Sequence, residues 1–445
     1  MNLFRFTLNS KGIYEELDKQ VPRDSDLRSS KPDGTWLPKV GEKYPGAISF
    51  FTKAGLKKYA DSGLKDWHYS VVEGKASMLL AERPDSPLYE DEFQVISHPS
   101  DFKIKKEYLF EYGGPRPALP RSLDSRPEFI RHHSSIVDQN FYAFYNGSDE
   151  TFAKGASLGS DLGLVELGIH HETLAPGKRS SWPHAHLIEE EFVYVLEGTP
   201  DIWVNGKLHR AKANDIIFFP PNSNLAHAVY NNSKEDVVMI VIGEQNQKDD
   251  KIYYPEHPAR NEECKEGGYF WADRPEPPAF TTHKNILDIE QKDAGGPDEP
   301  LHYFLKVRDL GRTLGAQRVA LHHAILMPGH RSGIPHCEST EEEFIYVLKG
   351  KIEAWIDGHR YEMNPGDSCA LPAGTGKLHT FINETNEEAE YLMIGQCWRD
   401  DNQCIYGINP ELWEEDKPLH WKDWPKQEQG PESSVPGQPS RPPQK

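Results

Sequence analysis

The sequence predicts a mainly β protein in which two copies of one small barrel follow a small N-terminal α+β domain. Three observations carry that expectation. The chain repeats itself: PGKRSSWPHAHLIEEEFVYVLEG, residues 176–198, aligns without a gap to PGHRSGIPHCESTEEEFIYVLKG, residues 328–350. The same offset of 152 relates His184 to His336, Trp203 to Trp355, Gly206 to Gly358, His227 to His379 and Asn231 to Asn383. A constant offset over this many positions means two copies of one domain. The 445 residues include 35 Gly and 35 Pro, a turn-rich composition. Short apolar runs, such as 192–196 and 237–242, alternate with tight-turn signals, among them Asn205-Gly206 and Asp357-Gly358, which suit the positive φ values of a type I′ hairpin.

Composition sets the outer limits. A chain of 445 residues is long enough for about three domains at ~150 residues each. The formal net charge of −20 argues against nucleic acid or an anionic membrane as the main partner, because both need a basic face. Five cysteines without a CxxC pair predict free thiols in a reducing compartment. The first twenty residues hold no apolar core of signal-peptide length, and no run of ~20 apolar residues predicts a membrane span. The expectation is a cytoplasmic protein, with the Asn146, Asn231 and Asn383 sequons accidental.

In chain order, residues 1–120 read as the α+β domain, of unknown role. Ser10 is placed to cap a helix over 11–19, FTKAGLKKYADSGL (51–64) has helical spacing, and strands are expected at 67–72, 76–81 and 92–97. His68 and His98 read as surface histidines. Residues 113–127, GGPRPALPRSLDSRP, form a Pro-rich linker. Barrel 1 is expected over 128–245, a connection over 246–281, barrel 2 over 282–398, a C-terminal extension over 399–425, and a disordered Pro/Gln/Ser-rich tail over 426–445. The connection carries Tyr253, Tyr254, Phe270 and Trp271. Such a segment either covers a barrel mouth or cements the barrels together, and the second is the favoured reading.

The chemistry concentrates in the first repeat. His184 and His186 are two apart, so on a strand they share a face. Glu191 follows five residues after His186, and the Pro220-Pro221 turn swings His227 back toward the pair. Three imidazoles and one carboxylate meeting in a small barrel make a divalent metal site with positions left open for water or substrate.

HAHLIEEEFVYVLEG resembles the first signature of the cupin superfamily: a His-x-His, a Glu a few residues on, and a Gly seven after that Glu. PPNSNLAHAVYN resembles the second: a Pro-rich turn, a His, and an Asn four later. There are two small departures. Six residues rather than five separate Gly177 from His184, and Ser223 stands where the second signature often has Gly. With the repeat, the resemblance implies a bicupin similar to two-barrel bacterial cupins, built of double-stranded β-helix (jelly-roll) barrels. It makes His184, His186, Glu191 and His227 the metal ligands of site 1. Such a shell suits Fe, Mn, Ni or Zn. Site 2 reads HCE where the family has HxH. Its candidate ligands are His336, Glu338, Glu343 and His379; alternatively this barrel is degenerate and Glu338 meets solvent or an arginine. Alternation points Cys337 away from the metal. The cofactor expectation is therefore one or two divalent ions.

Around these sites, Arg179 and Arg331 occupy matched positions before each first histidine. Each is placed either to meet a substrate carboxylate or, the favoured reading, to pair with an acid of the EEE runs. Glu189, Glu190, Glu341 and Glu342 read as a solvated charge run. Of His170 and His171, and of His322 and His323, at most one each faces the barrel interior.

The resemblance spans oxygenases, decarboxylases, isomerases, epimerases and non-catalytic binders, and fold does not choose among them. The His-Trp-His and nearby arginine of the oxalate decarboxylases, which resemble this chain in having two barrels, are absent here. The expectation is a metal-dependent enzyme acting on a small carbonyl or carboxylate compound, as a monomer or homodimer. The alternative is a non-catalytic binding or storage protein whose metal orders the barrel.

Overall fold

The computed structural model describes residues 2–8, 11–13, 44–52, 54–56, 74–112, 126–137, 141–142, 150–245, 247–297, 303–397, 399–408 and 420–430. These divide into two compact units. One comprises residues 1–125 and 137–154, the other residues 126–136 and 155–445.

The N-terminal unit is built on a seven-stranded sheet. At its centre the strand Asn2–Leu8 pairs antiparallel with Gly74–Glu82, which pairs with Ile104–Tyr112. The core below it is Leu3, Phe50, Ala81, Val95 and Phe102, with Phe50 and Phe102 stacked at 4.2 Å between centroids. The strands expected at 76–81 and 92–97 are found as Gly74–Glu82 and Gln94–Ser97. At the start of the helix expected over 11–19, Lys11–Gly12 is a strand that pairs back on Asn2–Leu8, and helical backbone begins at Ile13. Over 51–64, Phe51 ends the strand Ile48–Phe51, and residues 54–56 are helical, in line with the spacing. Residues 14–19, the strand expected at 67–72 and linker residues 113–125 lie outside the described residues.

The second unit holds both barrels. In barrel 1 the inner strands run His283–Asn285, Asp215–Phe219, Glu191–Glu197, Val237–Glu244 and Leu167–Leu174 across one sheet, faced by a sheet of Lys207–Arg210, Asp201–Val204 and His227–Tyr230. Barrel 2 repeats this with Ile130–His132, Asp367–Leu371, Glu343–Lys349, Ala389–Gln396 and Val319–Leu326, faced by His359–Met363, Ile352–Ile356 and His379–Ile382. The Asn205-Gly206 and Asp357-Gly358 turns have positive φ at all four residues, as the hairpin reading requires.

Each barrel borrows an edge strand from the chain segment expected to open the other. Ile130–His132 pairs with Asp367–Leu371 of barrel 2, and His283–Asn285 pairs with Asp215–Phe219 of barrel 1. The barrel cores therefore cross the sequence boundaries placed at 128 and 282.

Two glutamates lock the exchange, and they correct the solvated-run reading. Glu190 is 1% exposed and Glu342 is 3% exposed. Glu190 accepts backbone N–H bonds from Gln317, Arg318 and Val319 at 2.8, 3.0 and 2.9 Å. Glu342 accepts them from Val165, Glu166 and Leu167 at 2.7, 3.0 and 2.9 Å. The carboxylates turn inward because a strand entering the opposite barrel offers each of them three donors. Arg318 adds a bidentate pair with Glu244.

Aromatic stacking fills the same interface. His133 stacks on His171 at 4.1 Å and 5°, and the Tyr346 hydroxyl lies 3.3 Å from His133 Nδ1. His171 thus faces the other barrel, which leaves His170 on the inner face.

Two outcomes follow for stability. Glu190→Ala strands three buried N–H groups, so a loss of about 3 kcal/mol is expected in denaturant unfolding, with Glu190→Gln recovering part of it. Burial pushes the His171 imidazole down to about 3, with His133 adding to the effect. Between that value and the ordinary 6.5 the unfolded chain binds more protons than the folded one, so stability falls as pH drops through this window. Melting temperature of metal-stripped protein, followed from pH 7.5 to 4.5, is expected to fall more steeply for wild type than for His171→Phe.

Candidate metal centres

Backbone pairing brings the four expected ligands of site 1 to one end of barrel 1. His184 and His227 exchange backbone hydrogen bonds at 3.1 and 2.9 Å, so the second signature lies directly against the first. His186 ends the short strand Ala185–His186, and Glu191 opens the strand Glu191–Glu197. The turn that returns His227 is set by Asn222 and Asn224, at φ 54° and 55°, and by the Ser223 hydroxyl donating to Pro220 O at 2.6 Å. Serine thus closes this turn where the family often uses glycine.

Each imidazole is oriented through its Nδ1. His184 Nδ1 donates to Trp182 O at 2.7 Å, and His227 Nδ1 donates to Leu225 O at 2.9 Å. His186 Nδ1 lies 2.6 Å from Asp250 Oδ2. A carbonyl can only accept, so the bonds of His184 and His227 put a proton on Nδ1 and leave Nε2 as the atom turned toward Glu191. Glu191 Oε2 is the hub, 3.2 Å from His227 Nε2 and 3.8 Å from His184 Nε2. Ligand atoms of His184, His186 and Glu191 all lie within 4.8 Å of one another. Phe219 stacks on the His227 ring at 3.5 Å and holds it in plane.

The electrostatics agree with a metal-binding shell. Burial pushes His184 down to about 3, with His186 and His227 adding, so it is neutral at pH 7. Burial pushes the Glu191 carboxyl up, but His227, His184 and His186 together pull it well below the ordinary carboxylate range. Burial disfavours a charged His186, yet the Asp250 hydrogen bond and charge outweigh it. Three neutral-capable nitrogens, one ionised oxygen and an outer carboxylate on a ligand histidine fit a divalent ion.

Asp250 and Tyr254 come from the connection; sequence reasoning named Tyr254 as one of its aromatics but missed Asp250. The connection pairs Ile252–Tyr253 with Ala185–His186, and Trp271 packs on Ala185 and Ala226. Tyr254 lies 5.8 Å from the His184 ring. The connection therefore covers the metal end of barrel 1, in place of the favoured reading as cement between barrels. The C-terminal extension does the same for barrel 2: Cys404–Ile405 pairs with Cys337–Glu338, and Tyr406 lies 6.2 Å from His336. A signal existed, since Asp250, Tyr254 and Asn402, Tyr406 keep the offset of 152. The first residues of the expected disordered tail continue this cover, with Gly430 N donating to Asp357 O.

In barrel 2, His336, Glu343 and His379 gather within 4.8 Å of one another. Glu343 Oε2 is 2.6 Å from His379 Nε2 and 3.9 Å from His336 Nε2. The Nδ1 atoms of His336 and His379 donate to Ile334 O and Lys377 O. Glu338 does not join this group. Burial, with Glu343 and Glu341 beside it, pushes its carboxyl upward, and its hydrogen bonds go to Asn402 and Glu341. Cys337 is buried against Trp355, on the wall side, as alternation predicts.

The arginines lie elsewhere. Arg179 donates to the Tyr230 hydroxyl at 3.0 Å and sits 3.7 Å from Glu256. Its bridge to Tyr230 is three residues, or about 10 Å, along the strand from His227. Arg331 is buried and bridges Ile382, the matching position. Neither is among the residues gathered at the metal groups, and Arg179 pairs with Glu256 rather than with the EEE run.

Comparison with known proteins agrees with this architecture. Residues 170–243 and 322–395 each match the family described as the Cupin domain. The chain belongs to the cupin superfamily and is a bicupin. It is similar to quercetin 2,3-dioxygenase of Bacillus subtilis, 22% identical over 270 residues that cover 54% of this chain and 75% of that protein. Over 80 residues it is 31% identical to polyketide synthase CurC of Streptomyces cyaneus, covering 18% of this chain and half of that one. Among solved structures it is similar to oxalate decarboxylase of Bacillus subtilis, with TM-score 0.40 and 15% identity over 63% of this chain and 78% of that one. Among the described residues no helix is long and apolar enough to cross a membrane.

Asp250→Asn is expected to weaken metal binding at site 1 by 10- to 100-fold, the usual effect of losing an outer carboxylate. Competition titration against a chromogenic chelator measures this. An unchanged affinity would mean that Asp250 does not orient His186.

Proposed function

We propose that this bicupin is a metal-dependent enzyme whose reaction runs in barrel 1 on a small carbonyl or carboxylate compound. The observation that supports the reading is the gathering of three Nδ1-anchored imidazoles around Glu191, whose Oε2 faces the Nε2 atoms of His227 and His184. A purely structural histidine cluster has no need to tie back every Nδ1 around one carboxylate. The similarity to a dioxygenase supports an enzyme. A divalent ion held by His184, His186, Glu191 and His227 would supply Lewis acidity or a place for O₂ beside the substrate. The chain does the rest. Asp250 keeps His186 in its binding tautomer, and the connection, through Tyr254 and Trp271, limits water at the metal end.

Barrel 2 is assigned the lesser role. It replaces His186 and Asp250 with Glu338 and Asn402, and Glu338 bonds to Glu341 and Asn402 instead of completing the shell. A metal there would be held by His336, Glu343 and His379, with Glu338 joining once it gives up its proton. The exchange of a nitrogen ligand for oxygen favours Mn or Fe at that site.

Plasma mass spectrometry of protein prepared without an affinity tag tests the assignment. Between one and two metal equivalents per chain are expected, with His184→Ala losing the barrel 1 share and Glu338→Ala affecting only barrel 2. Incubation with O₂ and a panel of small organic acids is expected to give consumption that chelator abolishes. Saturable binding without turnover would establish the storage reading, and no metal after reconstitution would overturn the metalloenzyme.

A further inference from the structure

The inner face of barrel 1 carries an acid with no counterpart in barrel 2. Glu172 lies on the strand Leu167–Leu174, two residues from His170, so both point inward when His171 stacks against His133 on the outer face. Its position in barrel 2 is Ala324, fully buried in an apolar cluster with Ile345, Val347, Phe381 and Tyr391. Cross-strand, Ala324 pairs with Tyr391, and Glu172 pairs with Met239. Barrel 1 also has Val229 where barrel 2 has Phe381. An acid therefore stands where the repeat shows that an apolar core satisfies the fold, and two ring positions around it have become aliphatic. Glu172 is half-buried on a strand flanked on both sides, and its Cγ lies against Gly155 of the flanking strand, where a side chain is missing. Among the described residues its Oε2 is buried without a hydrogen-bond partner. A buried oxygen left without a partner costs stability, and such groups call for an explanation beyond packing.

We propose that Glu172 is a ligand-facing acid of barrel 1, placed to hydrogen-bond an oxygen of the compound held beside the metal centre. This rests on the metalloenzyme reading of barrel 1. Burial first, and then the negative charge of Glu191, pushes its carboxyl up to about 8. It therefore carries a proton at neutral pH and donates to a carbonyl or carboxylate oxygen. His170, held neutral by burial, is the second polar group of the same wall. The class of ligand this selects has an oxygen acceptor aimed away from the metal, as in a 2-oxo acid.

Two measurements on the full-length protein test it. Carbodiimide with glycine ethyl ester, read by peptide mass spectrometry on metal-free protein, is expected to label Glu172. Absence of label under conditions that modify exposed carboxyls would overturn the proposal, because a sealed acid meets no ligand. In Mn(II)-reconstituted protein, calorimetry with pyruvate is expected to show affinity about tenfold weaker for Glu172→Ala at unchanged metal content. Glu172→Gln, whose amide still donates, is expected to lose less. Equal affinity in wild type and Glu172→Ala, or Mn-loaded wild type that binds no pyruvate, would overturn it as well. Failure of wild type to take up Mn counts against the metal reading alone, since the labelling of Glu172 stands apart from it.

Discussion

The reciprocal seizure of three backbone N–H groups by Glu190 and by Glu342 is the constraint on which the two-barrel unit depends. Each carboxylate sits immediately before a proposed ligand, Glu191 or Glu343. Adjacent strand residues face opposite ways. One peptide therefore presents one acid to the neighbouring barrel and the next to the histidine cluster. The entry of the Glu191–Glu197 strand is fixed from outside the barrel, by Gln317, Arg318 and Val319, before any ion is bound. The site is positioned by the interface as much as by its own barrel.

That arrangement explains what could be read in the sequence and what could not. Most of the strands, the hairpins and the gathering of the histidines and glutamate were legible because they follow from alternation, turn chemistry and a repeat at fixed offset. His184, His186, Glu191 and His227 come together as their spacing predicts. The glutamates beside them were misread because a run of three acids ordinarily faces water. What reverses this is a set of donors 127 to 129 residues away, which no local pattern contains. Asp250 was hidden for a related reason: it lies in a segment whose composition resembles a linker, and only the matching pairs Asp250/Asn402 and Tyr254/Tyr406 betray its kinship with the C-terminal extension. At the helix expected from Lys11 the first two residues instead extend a hairpin ladder, and helical backbone begins only at Ile13.

Comparing the barrels within one chain separates fold from chemistry. Everything both copies keep, including the Nδ1 anchors, the shared glutamate hub and the covering tyrosine, supports the barrel and its end. Two of the differences bear on the site and on the inner face: His186 with Asp250 against Glu338 with Asn402, and Glu172 with Met239 against Ala324 with Tyr391. The first pair changes together, as a proposed ligand and its outer partner would. The second exchanges an inner aromatic for an inner acid. Barrel 2 is thus an internal control for barrel 1, made of the same strands under the same solvent.

The exchanged edge strands bear on the origin of the chain. Ile130–His132 completes barrel 2, and His283–Asn285 completes barrel 1. Two copies of a single-barrel ancestor that each lent the other their opening strand would form a closed, self-complementary dimer. Joining the genes of such a dimer head to tail preserves both loans within one polypeptide. Fusion also releases the copies from identity, because a change in one half no longer appears in the other. The strand exchange is what such a fusion would leave behind, and within one chain each half is free to change without the other.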